Sequence, residues 1–368
     1  MTTLIDLVNV TDWLNATDWP GATTWLLANA AVAVLLDRPA MVLLIVVLVL
    51  LLMAWGMGNY LKKRPEADVN MALVKSFNRR VQAWLIMYLI LGATFLAGSS
   101  RIPAVILFFG VSFWALREFM TLTPTTSADH RALFWVFFVF TPLQYLLVGF
   151  GHRDYELLGL VINPGRIFIT WIPIFAFLFI PARIAFAGDH KRYLERTAKI
   201  QVGLIICVYA LSHAPALLDL EYIAAEGKVW EGGNAGVLFF FIIVVQMSEV
   251  FQFVWTRLLG KRIIAPAINS NRTWEGLVGG MLTSTVLGTA LFWVTPFNPI
   301  QAAAMALILS IMGFAGSMTM SAVKRDRGVE DYGTLVEGHV GVLDRFDSIC
   351  FAAPIFYHVT RFFFTNAG

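Results

Sequence analysis

Pro39 to Gly58 reads PAMVLLIVVLVLLLMAWGMG, twenty residues without a charge or an amide side chain. A helix of that length rises about 30 Å, the thickness of a bilayer's hydrocarbon core. Stretches of the same character recur outward from it at 81–98, 102–117, 131–150, 167–184, 200–217, 236–256, 276–295, 301–323 and 346–365. In a chain of 368 residues with 58% hydrophobic content, 14% charged residues and a mean hydropathy of +0.71, they exclude an ordinary soluble domain. The expected fold is all-α: a polytopic transmembrane helical protein with about ten spans.

Lysine and arginine give an independent test, because they accumulate in cytoplasmic loops. With the N-terminus outside, alternate loops carry Lys62, Lys63, Arg64, Lys75, Arg79 and Arg80; Arg117 and Arg131; Arg183, Lys191, Arg192, Arg196 and Lys199; Arg257, Lys261, Arg262 and Arg272; and Lys324, Arg325, Arg327 and Arg345. The opposite face keeps Arg38, Arg101, Arg153, Arg166, Lys228 and Arg361. An error of one span would mix the two groups. Both termini are therefore expected outside, in a bacterial inner (cytoplasmic) membrane. The net charge of +3 restates this topology and implies no nucleic-acid partner.

The first 36 residues lack a basic n-region, and Trp13, Trp19 and Trp25 beside Asp6, Asp12 and Asp18 suit an outward-facing interfacial segment. A short re-entrant helix over 22–36 is the other reading. Residues 1–80 form an N-terminal extension with one extra span, and 81–368 form the main transmembrane domain. Cys207 and Cys350 lie in separate spans with no metal-ligand spacing, as buried structural thiols do.

Chemistry concentrates in SAVKRDRGVEDYGTLVEGHVGVLDRFD, Ser321 to Asp347. A lipid-binding, topology-setting loop accounts for Lys324, Arg325 and Arg327 but not for Asp326, Glu330, Asp331, Glu337, Asp344 and Asp347. Asp344 and Asp347 share one face of the first turn if a helix begins after Leu343. Two carboxylates there suit magnesium completed by phosphate oxygens; plain capping of the helix end is the alternative. A second polar segment runs from Glu249 through Lys261 and Arg262 to Asn269-Ser270-Asn271-Arg272-Thr273-Trp274-Glu275-Gly276. An ionisable residue in an apolar helix is a functional candidate by default, which singles out Glu249. Its alternatives are snorkelling to the interface or pairing with Arg257.

Lys324-Arg325, Asp331, Gly338-His339-Val340-Gly341 and Leu343-Asp344-Arg345-Phe346-Asp347-Ser348, preceded by Asn269 to Gly276, resemble the two signature segments of the phosphatidate cytidylyltransferases (CDP-diacylglycerol synthases). The layout matches over roughly 85–365 and is sharp over about 249–350. The resemblance implies attack of the phosphate of phosphatidate on the α-phosphorus of CTP, with a metal ion required, at a cytoplasm-facing site within 249–347. It implies Asp344, Lys324, Arg325 and His339 as catalytic residues. Arg272, Thr273, Lys261, Arg345 and Asn269 would bind substrate. Asp344, Asp331, Asp347 and Glu249 would hold magnesium, with room for a second cation. CTP and a membrane lipid phosphate are the implied partners, and a homodimer is left open. The chain departs from the pattern at Ser317, where the family has Asp, and also at Glu249, Arg272, Asn269, Glu330 and Val340. These departures suit a diverged paralogue, acting on the same or a related lipid phosphate, or a non-catalytic membrane partner of phospholipid synthesis that retains the fold. A transporter is disfavoured, since no internal repeat is visible.

Overall fold

The computed structural model describes residues 37–62, 71–96, 101–122, 126, 129–151, 154–157, 160–224, 229–329 and 341–365. The interfacial or re-entrant readings of the first 36 residues, and Asp331 and His339, lie outside the described residues.

Each of the ten apolar stretches is helical over most of its described residues. Among the described residues the helices are α1 (Arg38–Leu61), α2 (Met71–Leu96), α3 (Ile102–Thr121), α4 (His130–Gly149), α5 (Pro164–Ala185), α6 (Tyr193–Asp219), α7 (Asn234–Leu259), α8 (Trp274–Ala290), α9 (Pro299–Arg327) and α10 (Leu343–Phe364). Among the described residues, α1, α3 to α7 and α9 are each long and apolar enough to cross a membrane. The chain is thus an all-α polytopic membrane protein. Among the described residues, sheet is confined to two small antiparallel hairpins in connections, β1 (Tyr155–Leu157) with β2 (Leu160–Ile162) and β3 (Ile263–Ala265) with β4 (Asn269–Thr273).

Three helices contain a π-helical turn, at Val136–Phe140 in α4, Trp171–Ala176 in α5 and Ile205–Ala210 in α6, and the three turns touch in sequence. Proline explains two of them, because it removes an N–H from the ladder. Pro173 sits within the second, and Pro142 follows the first, where Thr141 Oγ1 donates to the Val136 carbonyl at 2.8 Å.

The centre of the bundle is α7, whose Phe239, Phe240 and Phe241 are fully buried. Phe356 of α10 stacks on Phe241 with centroids 5.3 Å apart. Small residues set how near the neighbours come. A Cβ on Gly280 of α8 would lie 2.8 Å from the Gln252 backbone nitrogen, and one on Gly316 of α9 would lie 2.6 Å from the Asp347 carbonyl. The glycines therefore let α8 reach α7 and α9 reach α10 at backbone distance.

Helix α9 positions the site by its length. It starts at a capping box, with Asn298 Oδ1 accepting from Gln301 N–H and Gln301 Oε1 accepting from Asn298 N–H at 2.8 and 2.9 Å, and Pro299 at its first turn. It ends at Gly328, whose φ of 69° needs a residue without a Cβ, and whose N–H closes on the Lys324 and Arg325 carbonyls. Its 29 residues rise about 43 Å, more than the hydrocarbon core. The last turns therefore continue past the expected end of the apolar stretch at residue 323, carrying Ser317, Ser321, Lys324 and Arg325 on one face.

Candidate active site

The predicted site residues arrive from four elements: α7, the β3–β4 hairpin, α9 and α10. Thr273 ends β4 and caps α8, its hydroxyl accepting from Gly276 N–H at 3.1 Å and lying 3.1 Å from Thr256 Oγ1 of α7. Glu275, in the first turn of α8, accepts the N–H groups of Lys261 and Arg262 at 3.1 and 3.2 Å. The hairpin is thus tied down at its base, and Asn269 and Arg272 face α9. Asn269 Nδ2 donates to Ser321 Oγ at 3.1 Å. Arg272 forks, Nη2 donating to Ser317 Oγ at 2.6 Å and Nη1 to Gln252 Oε1 of α7 at 2.9 Å. Ser317, at the position where the resemblance leads one to expect a carboxylate, therefore receives a guanidinium.

On the other side of this fork lie the acids. Lys324 Nζ donates to Asp344 Oδ1 at 2.8 Å, with 19% and 7% of the two side chains exposed. Asp347, one turn further along α10, is 7% exposed, and its Oδ1 accepts the Ser348 N–H at 2.7 Å. The charges of Glu249, Asp344 and Arg272 all act on it. Glu249 Oε1 is buried without a hydrogen-bond partner. Pairing with Arg257 does not occur; that guanidinium lies over the Phe253 ring, 5.4 Å from its centroid. Arg325 Nε donates to the Ile268 carbonyl at 3.3 Å, and the Arg345 carbonyl accepts from Gln246 Nε2 at 3.1 Å.

Not all the expected residues meet there. The Lys261 side chain is exposed and lines a separate cavity of about 320 Å³ with Arg257, Thr256, Ser270 and Asn271. Thr273 is buried in its capping role. The reading of Asp344 or Asp347 as the cap of α10 does not hold either, because Glu118 of α3 supplies that cap, accepting from Val342 and Leu343 N–H at 3.0 and 2.8 Å. Glu118, Gln246 and Gln252 escaped the sequence reading, although the rule that exposed Glu249 covers any polar group in an apolar helix.

A hard cation suits part of this arrangement. An unpartnered buried carboxylate oxygen on Glu249, electrostatically close to Asp347, is a donor set waiting for positive charge. Among the described residues, however, no three His, Cys, Asp or Glu side chains converge as a metal centre would require. A cation held there would take two carboxylates from the protein and its remaining ligands from phosphate oxygens.

Comparison with known proteins identifies the family. Residues 78–363 match the profile of a family described as the cytidylyltransferase family. An uncharacterised protein, YnbB, of Escherichia coli (strain K12) is 35% identical over 256 residues, covering 68% of this chain and 77% of the relative. Phosphatidate cytidylyltransferases of Staphylococcus haemolyticus (strain JCSC1435) and Staphylococcus aureus (strain COL) are 34% and 35% identical over 183 residues, 46% of this chain and 70% of theirs. With the match running through the hairpin and the site-bearing ends of α7, α9 and α10, the chain belongs to the cytidylyltransferase family.

Proposed function

We propose that this protein transfers the cytidylyl group of CTP to phosphatidate or a related lipid phosphate, releasing pyrophosphate and leaving the CDP-lipid in the membrane. The observation that carries the reading is the meeting of Arg272 and Lys324 with Asp344, Asp347 and Glu249 at one end of the bundle. The family membership and the names of the staphylococcal relatives support the same reaction.

The lipid phosphate oxygen attacks the α-phosphorus, a new P–O bond forms, and the bond to the bridging oxygen of the β-phosphate breaks. No proton need be removed from a nucleophile that is already anionic, so catalysis is positioning and charge neutralisation. Arg272 is held in place by two acceptors before substrate arrives, which presents its planar fork without further ordering. Lys324 and Asp344 form a pair from which the lysine can turn towards a phosphate. Arg325 and Arg345 add positive charge, and the resemblance gives His339 and Asp331, outside the described residues, as further site residues. Magnesium would be held by Asp347 and Glu249 together with phosphate oxygens, and would supply charge for the leaving pyrophosphate. The lysines and arginines of the connections support a site on the cytoplasmic side, where CTP is available.

The test is conversion of radiolabelled CTP into lipid-extractable product by the purified protein with phosphatidate and magnesium. Magnesium-dependent product is expected, and it should be lost in Asp344→Ala. In Ser317→Asp the new carboxylate faces Arg272, so an ion pair is expected to form there and to slow the parent reaction rather than accelerate it. Absence of product from the parent under every lipid phosphate tried would sink the reading and leave a non-catalytic partner of phospholipid synthesis.

A further inference from the structure

Helix α10, which carries Asp344 and Asp347 in its first turns, begins without a cap of its own. Val342 precedes it and offers no side-chain acceptor, yet the first N–H groups of a helix need acceptors when they are shielded from water. The acceptors come from a residue more than two hundred positions earlier in the chain. Glu118 Oε1 takes the Val342 N–H at 3.0 Å, and Oε2 takes the Leu343 N–H at 2.8 Å. Trp114, one turn before it on α3, donates its indole Nε1–H to Oε1 at 3.0 Å and so fixes the carboxylate's rotation. Only 4% of Glu118 is exposed.

A carboxylate so buried is costly unless its oxygens are matched. Here they meet three donors and the positive end of a helix. The arrangement also has a consequence for geometry. Val342 and Leu343 are the residues immediately before Asp344, so Glu118 determines where the chain enters α10. Gln246 of α7 holds the same turn through the Arg345 carbonyl, 3.1 Å away. The turn bearing Asp344 is therefore clamped between α3 and α7, and α7 itself carries Glu249 one turn beyond Gln246.

We propose that Glu118 is a positioning residue for the transfer reaction: by capping α10 across the bundle it sets the spacing of Asp344 and Asp347 against Lys324 and Glu249. It touches neither substrate nor metal. This rests on the function proposed above. A simple staple would lower stability when removed and leave turnover per folded molecule unchanged. A positioning residue alters the site in molecules that remain folded, because a displacement near 1 Å at the reacting groups is worth about 100-fold in rate.

The experiment compares Glu118→Gln and Glu118→Ala with the parent and with Asp129→Asn. Asp129 makes an ion pair with Arg196 that is buried and lies outside the site, so its loss reports on stability alone. Purified, monodisperse protein is assayed for kcat, for KM of CTP and for the magnesium concentration at half-maximal rate. Amide hydrogen exchange of the 342–347 segment is measured on the same samples. Glu118→Gln, with one acceptor for two backbone donors, is expected to lose exchange protection at Val342 or Leu343. Its kcat should fall about tenfold or more and its magnesium requirement rise, with KM of CTP little changed; Asp129→Asn should keep parent kinetics. Parent-like kcat and magnesium requirement in Glu118→Gln overturn the proposal, even if its melting temperature falls. If Glu118→Ala does not fold, Glu118→Gln decides. If the parent itself makes no CDP-lipid, the functional reading fails, and the clamp is judged by exchange alone: unchanged protection of 342–347 in Glu118→Gln overturns it, and lost protection supports it.

Discussion

Lys324 and Asp344 are the two site residues whose pairing has a measurable cost. Both are largely shielded from water, so truncating one leaves a poorly solvated charge behind, a loss of about 3–5 kcal/mol. Replacing both with apolar residues of similar volume removes that cost. Lys324→Met with Asp344→Leu is therefore expected to melt nearer the parent than Lys324→Met alone, while making no CDP-lipid; thermal unfolding in detergent beside the CTP assay checks both. The sequence showed these two residues as chemistry because they stand in the charged block, and the structure adds that they are partners. It could not show Arg272 reaching Ser317 and Gln252, since three residues 20 and 45 positions apart meet only after α7, the hairpin and α9 have packed. Glu118 was hidden for the same reason: its role is defined wholly by backbone groups far along the chain.

Caps and glycine seams decide where whole elements sit. Thr273 was expected to bind substrate, yet its hydroxyl caps α8. Thr273→Ala should cost about 1 kcal/mol of stability, and Thr273→Ser should restore it. If capping is its only duty, the KM of CTP stays within about twofold of the parent in the serine variant. The α5–α6 connection offers a pH test. Asp189 accepts the Lys191 N–H at 3.1 Å and the Arg196 guanidinium at 2.5 Å, and these, the backbone bond foremost, hold its carboxyl below the usual carboxylate range. A carboxyl whose folded-state value is depressed contributes its stabilisation above the unfolded value, near pH 4, and loses it as pH falls through the lower folded one. The melting-temperature difference between the parent and Asp189→Asn should accordingly be constant above about pH 5 and shrink below about pH 4. A difference independent of pH would mean the hydrogen bonds contribute no charge-dependent stability.

The bundle as a whole has two chemically distinct ends, and labelling can assign them. Cys207 and Cys350 are both buried, so neither competes with an introduced thiol. Lys261→Cys in the hairpin connection and Glu231→Cys at the opposite end both replace exposed residues. In intact cells a membrane-impermeant maleimide should label Glu231→Cys, and Lys261→Cys only after permeabilisation; the reverse pattern would put the site outside and remove its access to CTP. Composition, the spacing of apolar stretches and the alternation of lysine and arginine were enough to establish a helical polytopic membrane protein and to point to the end where its charges gather. They suffice because a bilayer imposes a one-dimensional rule, about twenty apolar residues per crossing, that needs no knowledge of which helix touches which. The motifs around Asn269 and Ser321 were likewise legible in order and spacing, and so was the family resemblance. Which side chains form a site was another matter. The fork of Arg272, the orphaned oxygen of Glu249 beside Asp347, the diversion of Thr273 into a cap and of Lys261 to another cavity, and the clamp of α10 by Glu118 all depend on distances across the bundle. Those distances arise from close helix approach at Gly280 and Gly316, and they appear only when packing has turned separate stretches of chain into neighbours.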